Sequence, residues 1–91
     1  MEIRKKTWPD YFEAVLKGDK QFDARLGDFK AEVGDILVLE EWDPELKDYT
    51  GRVIKRRVSY RLHVPYTGTE LWSETDLKQY GLQILSLEDS S

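Results

Sequence analysis

Apolar residues fall into two kinds of run along this chain. Near the start, Trp8, Tyr11 or Phe12, Val15 and Leu16 recur at helical spacing, which lays one apolar stripe along a helix over residues 8–17. Thr7 reads as its N-cap, with Asp10 as a short capping-box partner. Pro9 fits the first turn, and Gly18 is a C-terminal stop able to take the left-handed conformation. The stripe predicts that Trp8 belongs to the core.

The remaining apolar runs have strand character. Ile3 opens a first strand or arm, residues 21–25 form a short strand, and Leu26-Gly27-Asp28 is a turn. A second turn, Val33-Gly34-Asp35, leads into Ile36-Leu37-Val38-Leu39, a β-prone run expected to be buried on both faces. Asp43-Pro44 and Thr50-Gly51 punctuate a long hairpin loop. Residues 52–62 then read as a long strand, with Ile54, Val58, Tyr60 and Leu62 on one face and Lys55, Arg57, Ser59 and Arg61 on the other. Arg56 interrupts the apolar side and suggests a bulge or an open edge there. A short helix is expected within 68–79 and a closing strand from Leu82, with the chain fraying over 87–91. The sum is an α+β, mostly β domain of the size of a small barrel, with one principal helix.

Composition narrows the chemistry. The 91 residues suit one domain, 1–91, with a modest core. There is no cysteine and one histidine, so thiolate zinc sites, disulfides and cysteine nucleophiles are excluded and no metal or cofactor is expected. No apolar run approaches a membrane span, and Met1–Lys6 lacks an apolar signal core, so a cytoplasmic protein with no membrane partner is expected. The net charge of -4 argues against a generic basic nucleic-acid binder. That average hides segregation: Arg52, Lys55, Arg56, Arg57 and Arg61 crowd one run, and Glu40, Glu41, Asp43, Glu45 and Asp48 the run before it. His63, just before Val64-Pro65, reads as a surface or capping residue.

The densest candidate chemistry lies in Gly18–Arg25. If this stretch is extended, Lys20, Phe22 and Ala24 share one face and Gln21, Asp23 and Arg25 the other. Lys20 can swing into a cleft beside the helix end, and Asp23 and Arg25 can pair or jointly hold a polar ligand. Arg25 suits bidentate contact with phosphate or a base edge, and Lys20 is a point charge or, if desolvated, a base.

Gly18, Lys20, Asp23 and Arg25 also fall on the pattern Gly-x-Lys-x-x-Glu-x-Arg, with Asp23 shortening the usual Glu by one methylene. In this the chain resembles ASCH domains, a branch of the PUA-like fold. Trp8–Val15 looks like that family's opening helix, and Phe29–Leu37, with Val33-Gly34-Asp35, like its approach to the next strand. Glu41–Pro44 and Tyr49–Arg52 resemble a hairpin in a small ASCH-like group of bacterial and phage proteins whose function is not established. The likeness covers residues 1–62, and 80–85 fit a closing strand, whereas 63–79 are not matched. It implies a PUA-like small β-barrel with the helix packed over a barrel opening. The motif residues would line a cleft that accepts RNA or a modified nucleoside or nucleotide.

The leading expectation is therefore a non-catalytic module that binds RNA or a nucleotide. Its contacts would come from Lys20, Phe22, Asp23 and Arg25, with Lys55, Arg57 and Arg61 as a basic face whose rival role is cross-strand pairing with the acids. Trp8, Phe22 and Trp42 are aromatics able to stack on a base. A hydrolase is the rival. Some ASCH-like proteins deacetylate acetylated cytidine with a lysine, a threonine three residues later and a distant glutamate. Lys20 matches the lysine, but Asp23 stands where the threonine would be, and Glu70 and Glu74 are the candidates for the glutamate. Ribonuclease action by the same cluster is a variant of this reading. A third reading is a protein-docking surface at Glu40–Tyr49, which carries Trp42 among acids.

Overall fold

The computed structural model describes residues 1–64 and 74–89. Five strands form one curled half-barrel sheet. They are β1 (Glu2–Thr7), β2 (Phe22–Leu26), β3 (Ile36–Asp43), β4 (Asp48–Val64) and β5 (Leu82–Asp89), in the order β1-β3-β4-β5-β2. β1 runs parallel to β3, and every other pair is antiparallel. Helix α1 (Pro9–Leu16) follows β1, and α2 (Glu74–Tyr80) precedes β5. No helix among the described residues is long and apolar enough to cross a membrane.

The predicted helix is present, but its ends and its buried face differ. Thr7 finishes β1 rather than capping α1, and Trp8 occupies the N-cap with no side-chain cap bond. Phe12 and Val15 are buried, whereas Trp8, Tyr11 and Leu16 are exposed. Eight residues make little more than two turns, too short to bury a full stripe. Phe12 and Val15 join Leu37, Leu39, Ile54, Val58, Leu85 and Leu87 in the core on the concave side. Gly18 takes the predicted left-handed conformation at φ 84°. The Lys20 N–H donates to the Ala14 carbonyl at 2.9 Å, which seats Lys20 directly under the helix end.

β3 is buried as expected, with Leu37, Val38 and Leu39 all inaccessible. The hairpin loop is shorter than predicted. Thr50 and Gly51 lie within β4, where the register against β3 slips between Glu40 and Trp42, and Gly51 takes φ 94° to allow it. The slip gathers Thr50 and Arg52 around buried Glu41: the Thr50 hydroxyl donates at 2.6 Å, and Arg52 donates from Nε at 2.9 Å and Nη2 at 2.8 Å. Arg52 and then Thr50 hold the Glu41 carboxyl down at about 2, against an ordinary value of 4.5. A depressed carboxylate contributes stability above its unfolded pKa and loses it as pH falls through the folded one. The stability gap between wild type and Glu41→Gln in urea titrations is therefore expected to be full at pH 6 and to shrink from pH 4.5 towards about 2. A gap independent of pH would show that the cluster does not hold Glu41 ionised.

A second slip lies between Val58 and Tyr60, against β5, rather than at Arg56. A one-residue slip exchanges the two faces of a strand. Tyr60 and Leu62, expected beside Ile54 and Val58, therefore turn outward and are exposed, while Arg61 is carried to the face of its partner Leu85. β5 also runs through Asp89 instead of fraying after residue 86, because Glu88 and Asp89 pair with Arg57 and Arg56.

Candidate functional site

Among the described residues the sheet does not close. β1 and β2 are its two edges, and the gap between them is a cleft of about 710 Å³ beside the start of α1. Its lining includes Lys5, Lys6, Lys20 and Arg25 against two carboxylates, Asp23 and Asp28. Trp8, Tyr11 and Phe22 also line it and remain roughly half exposed, at 55%, 55% and 46%. Cations and half-exposed aromatic rings thus converge on the seam of the half-barrel.

Asp23 and Arg25 point to the concave side, where they face Leu85 and Gln83 of β5. Of the two roles open to them they take the pairing, with Arg25 Nε donating to Asp23 Oδ2 at 2.5 Å. The same guanidinium reaches across the gap, donating from Nη1 to the Lys6 carbonyl and from Nη2 to Thr7 Oγ1, both at 3.0 Å. Thr7 Oγ1 in turn donates to the Lys5 carbonyl at 3.3 Å. Arg25 is therefore a brace between the sheet edges, with three acceptors already in hand, rather than an open fork for phosphate. Asp23 is buried, 3% exposed, and takes Lys20 on its other oxygen at 3.8 Å. Lys20 precedes the strand, so alternation does not bind it. Its ammonium sits among Asp23, the Tyr11 ring at 4.8 Å and the Phe22 ring at 5.3 Å.

Lys5 and Lys6 were not legible as site residues. They come from β1, whose place opposite β2 depends on the whole sheet order. The one available signal was the basic run Arg4-Lys5-Lys6 immediately before Trp8. Lys5 lies 3.6 Å over the Phe29 ring, and burial pulls its ammonium below the usual lysine range, with Asp28 opposing. Lys6 lies 3.8 Å over the Trp42 ring.

The other candidates lie elsewhere. Lys55 and Arg57 are outside the cleft and paired, with Glu2 at 3.0 Å and Glu88 at 2.6 Å. Arg61 donates to Gln83 Oε1 at 3.0 Å and no longer shares their face, so the expected continuous basic face is broken by the second slip. Their partners are cross-strand, as the rival reading held, but the acids are Glu2 and Glu88 rather than those of the hairpin. Trp42 is half-buried between Lys6 and Tyr49, whose ring it meets edge-on at 5.1 Å, and in the hairpin tip Leu46 is exposed. His63 is exposed and its Nε2 meets the Tyr80 carbonyl at 3.0 Å. Glu70 lies outside the described residues, and Glu74 opens α2 with its side chain outside them.

This geometry can be set beside known proteins. The family described as a domain of unknown function, DUF3850, matches residues 4–73, most of the chain and all of the cleft. The chain belongs to the DUF3850 family. Within that family match lie most of β1, all of β2 and the Gly18–Arg25 segment. Among solved structures, the fold is similar to the crystal structure of a hypothetical protein, PH0355. The TM-score is 0.73 at 18% identity, over 97% of this chain and 98% of that one. That likeness concerns the fold alone. No curated protein matches.

Proposed function

We propose that this DUF3850 domain is a PUA-like, ASCH-type module that binds RNA or a modified nucleoside or nucleotide in the cleft between β1 and β2. The supporting observation is the meeting of three lysines with three half-exposed aromatic rings around one opening. Lysines neutralise phosphate as point charges, and rings offer stacking faces to bases. Arg25 and Asp23 serve this reading by holding the walls apart at a fixed width. Their charges are spent on each other, on Lys20 and on β1. A carboxylate engaged on both oxygens is better suited to holding Lys20 in place than to passing a proton, which favours binding over hydrolysis.

The test is an amide NMR titration with short single-stranded RNA and free nucleosides at low and moderate salt. Shifts are expected on Lys5–Trp8, Tyr11 and Lys20–Arg25. Trp8→Ala is expected to weaken binding about tenfold, in line with the ~1–3 kcal/mol of one stacked base. Three lysine–phosphate contacts imply a slope of log K against log salt of about −2. Flat spectra at low salt would sink the proposal. Release of acetate from acetylated cytidine, or cleavage of the RNA, lost in Lys20→Ala, would replace it with the hydrolase.

A further inference from the structure

We infer that the cleft reads the hydrogen-bonding edge of a single planar heterocycle through the main chain of β2, with Ala24 as the central contact. The inference rests on the nucleobase-binding reading above and adds what selects the base.

The ladder register decides which main-chain groups have no strand partner among the described residues. The Leu87 N–H donates to the Gln21 carbonyl at 2.9 Å, and the Gly27 N–H to the Gly81 carbonyl at 3.0 Å. In an antiparallel pair, hydrogen-bonded residues alternate with residues whose groups point the other way. Asp23 and Arg25 therefore spend their N–H and C=O on β5, while Phe22, Ala24 and Leu26 turn theirs outward. Among the described residues β2 is the last strand of the sheet, so outward means into the cleft, and all three residues line it. The same argument holds across the gap. The Met1 carbonyl accepts from the Ile36 N–H at 2.9 Å, so by alternation Lys6 faces the seam, where its carbonyl takes Arg25.

Each outward residue of β2 presents a donor beside an acceptor. That pair is complementary to the acceptor–donor pair on a nucleobase edge, the feature by which unstacked bases are recognised. Ala24 lies between the Arg25 brace and Phe22, so a base hydrogen-bonded there would have an aromatic face beside it. An unpaired edge could also take an added peptide strand. Arg25 argues against that occupant, because its guanidinium crosses the gap to Lys6 and Thr7. A continuous strand would have to displace this brace, whereas one ring fits beside it.

The test uses the whole domain, the four ribonucleoside 5′-monophosphates, their counterparts methylated on the base edge, and ribose 5-phosphate. Ala24→Pro is the protein variant. It removes one N–H that bonds to no described strand, and an edge position of this kind is where strands accept proline. Wild type is expected to bind at least one nucleotide with a shift of the Ala24 amide. The methylated counterpart, and Ala24→Pro with the parent nucleotide, are each expected to bind at least tenfold more weakly. Binding of the methylated form within twofold of the parent, or equal binding of ribose 5-phosphate, would overturn edge reading and leave the cleft proposal standing. Tighter binding of a short extended peptide than of any nucleotide would overturn it in favour of strand addition. No response to any nucleotide or RNA would remove the nucleobase reading itself. The ligand-side comparison decides the matter even if Ala24→Pro fails to fold.

Discussion

Replacing Arg25 with alanine is expected to destabilise the domain by about 3 kcal/mol, the size of effect seen when one partner is removed from a buried ion pair. Asp23 is 3% exposed and, among the described residues, would keep only Lys20, at 3.8 Å. The Lys6 carbonyl and the Thr7 hydroxyl would lose the donor that ties the two sheet edges together. For a domain of this length the melting temperature should fall by roughly 15 °C. Ligand affinity should fall as well, because the width of the cleft is set by this bridge. Arg25→Lys separates the two roles: a lysine can restore the charge opposite Asp23 but not the planar fork that reaches three acceptors. It should therefore recover part of the stability and little of the affinity. Urea titrations with unchanged slope would report this as stability rather than altered compactness. If Arg25→Ala fell within 1 kcal/mol of wild type, the seam would be held by other contacts and the brace would be incidental.

Arg52→Ala is the second large effect, with a destabilisation of about 2 kcal/mol expected from the loss of charge-assisted bonds to a buried carboxylate. The Glu41 side chain is 6% exposed and, among the described residues, would retain only the Thr50 hydroxyl. Arg52 also reaches Glu13 of α1 at 2.5 Å, and its guanidinium lies 4.8 Å from the centre of the Phe12 ring. The side chain thus fastens the helix to the register slip in the hairpin. The Glu13 pair is open to solvent, so Glu13→Ala should cost under about 1 kcal/mol. A double-mutant cycle between positions 41 and 52 should return most of the Arg52 effect as coupling. If Glu13→Ala proved as costly as Arg52→Ala, the helix tie and not the buried carboxylate would be the source of stability.

Much of the fold was legible because it depends on short-range pattern. Gly18 stopped the helix, the run Ile36–Leu39 made a strand buried on both faces, and Asp23 and Arg25 paired two residues apart. The misread strand faces share one physical origin. Strand alternation can be read only while the register is continuous, and two slips interrupt it, near Glu41 and between Val58 and Tyr60. Beyond the second slip every assignment of face reverses, which turned Tyr60 and Leu62 outward and separated Arg61 from Lys55 and Arg57. Trp8 was misplaced for a different reason: its neighbour Thr7 is held in β1 against Glu41 of β3, so the helix starts later than its apolar stripe.

By itself, the sequence determined the local elements: one short helix with its stop, the strand runs, and the charged and aromatic cluster of Gly18–Arg25. Propensity, spacing and turn chemistry act over a few residues and need no distant partner. Only the tertiary structure decided that β1 and β2 would be the unpaired edges of one curled sheet, with Lys5, Lys6 and Trp8 brought opposite Lys20 and Phe22. That decision follows from strand order and register, which are fixed by burial of the common core and leave no mark at either edge strand alone.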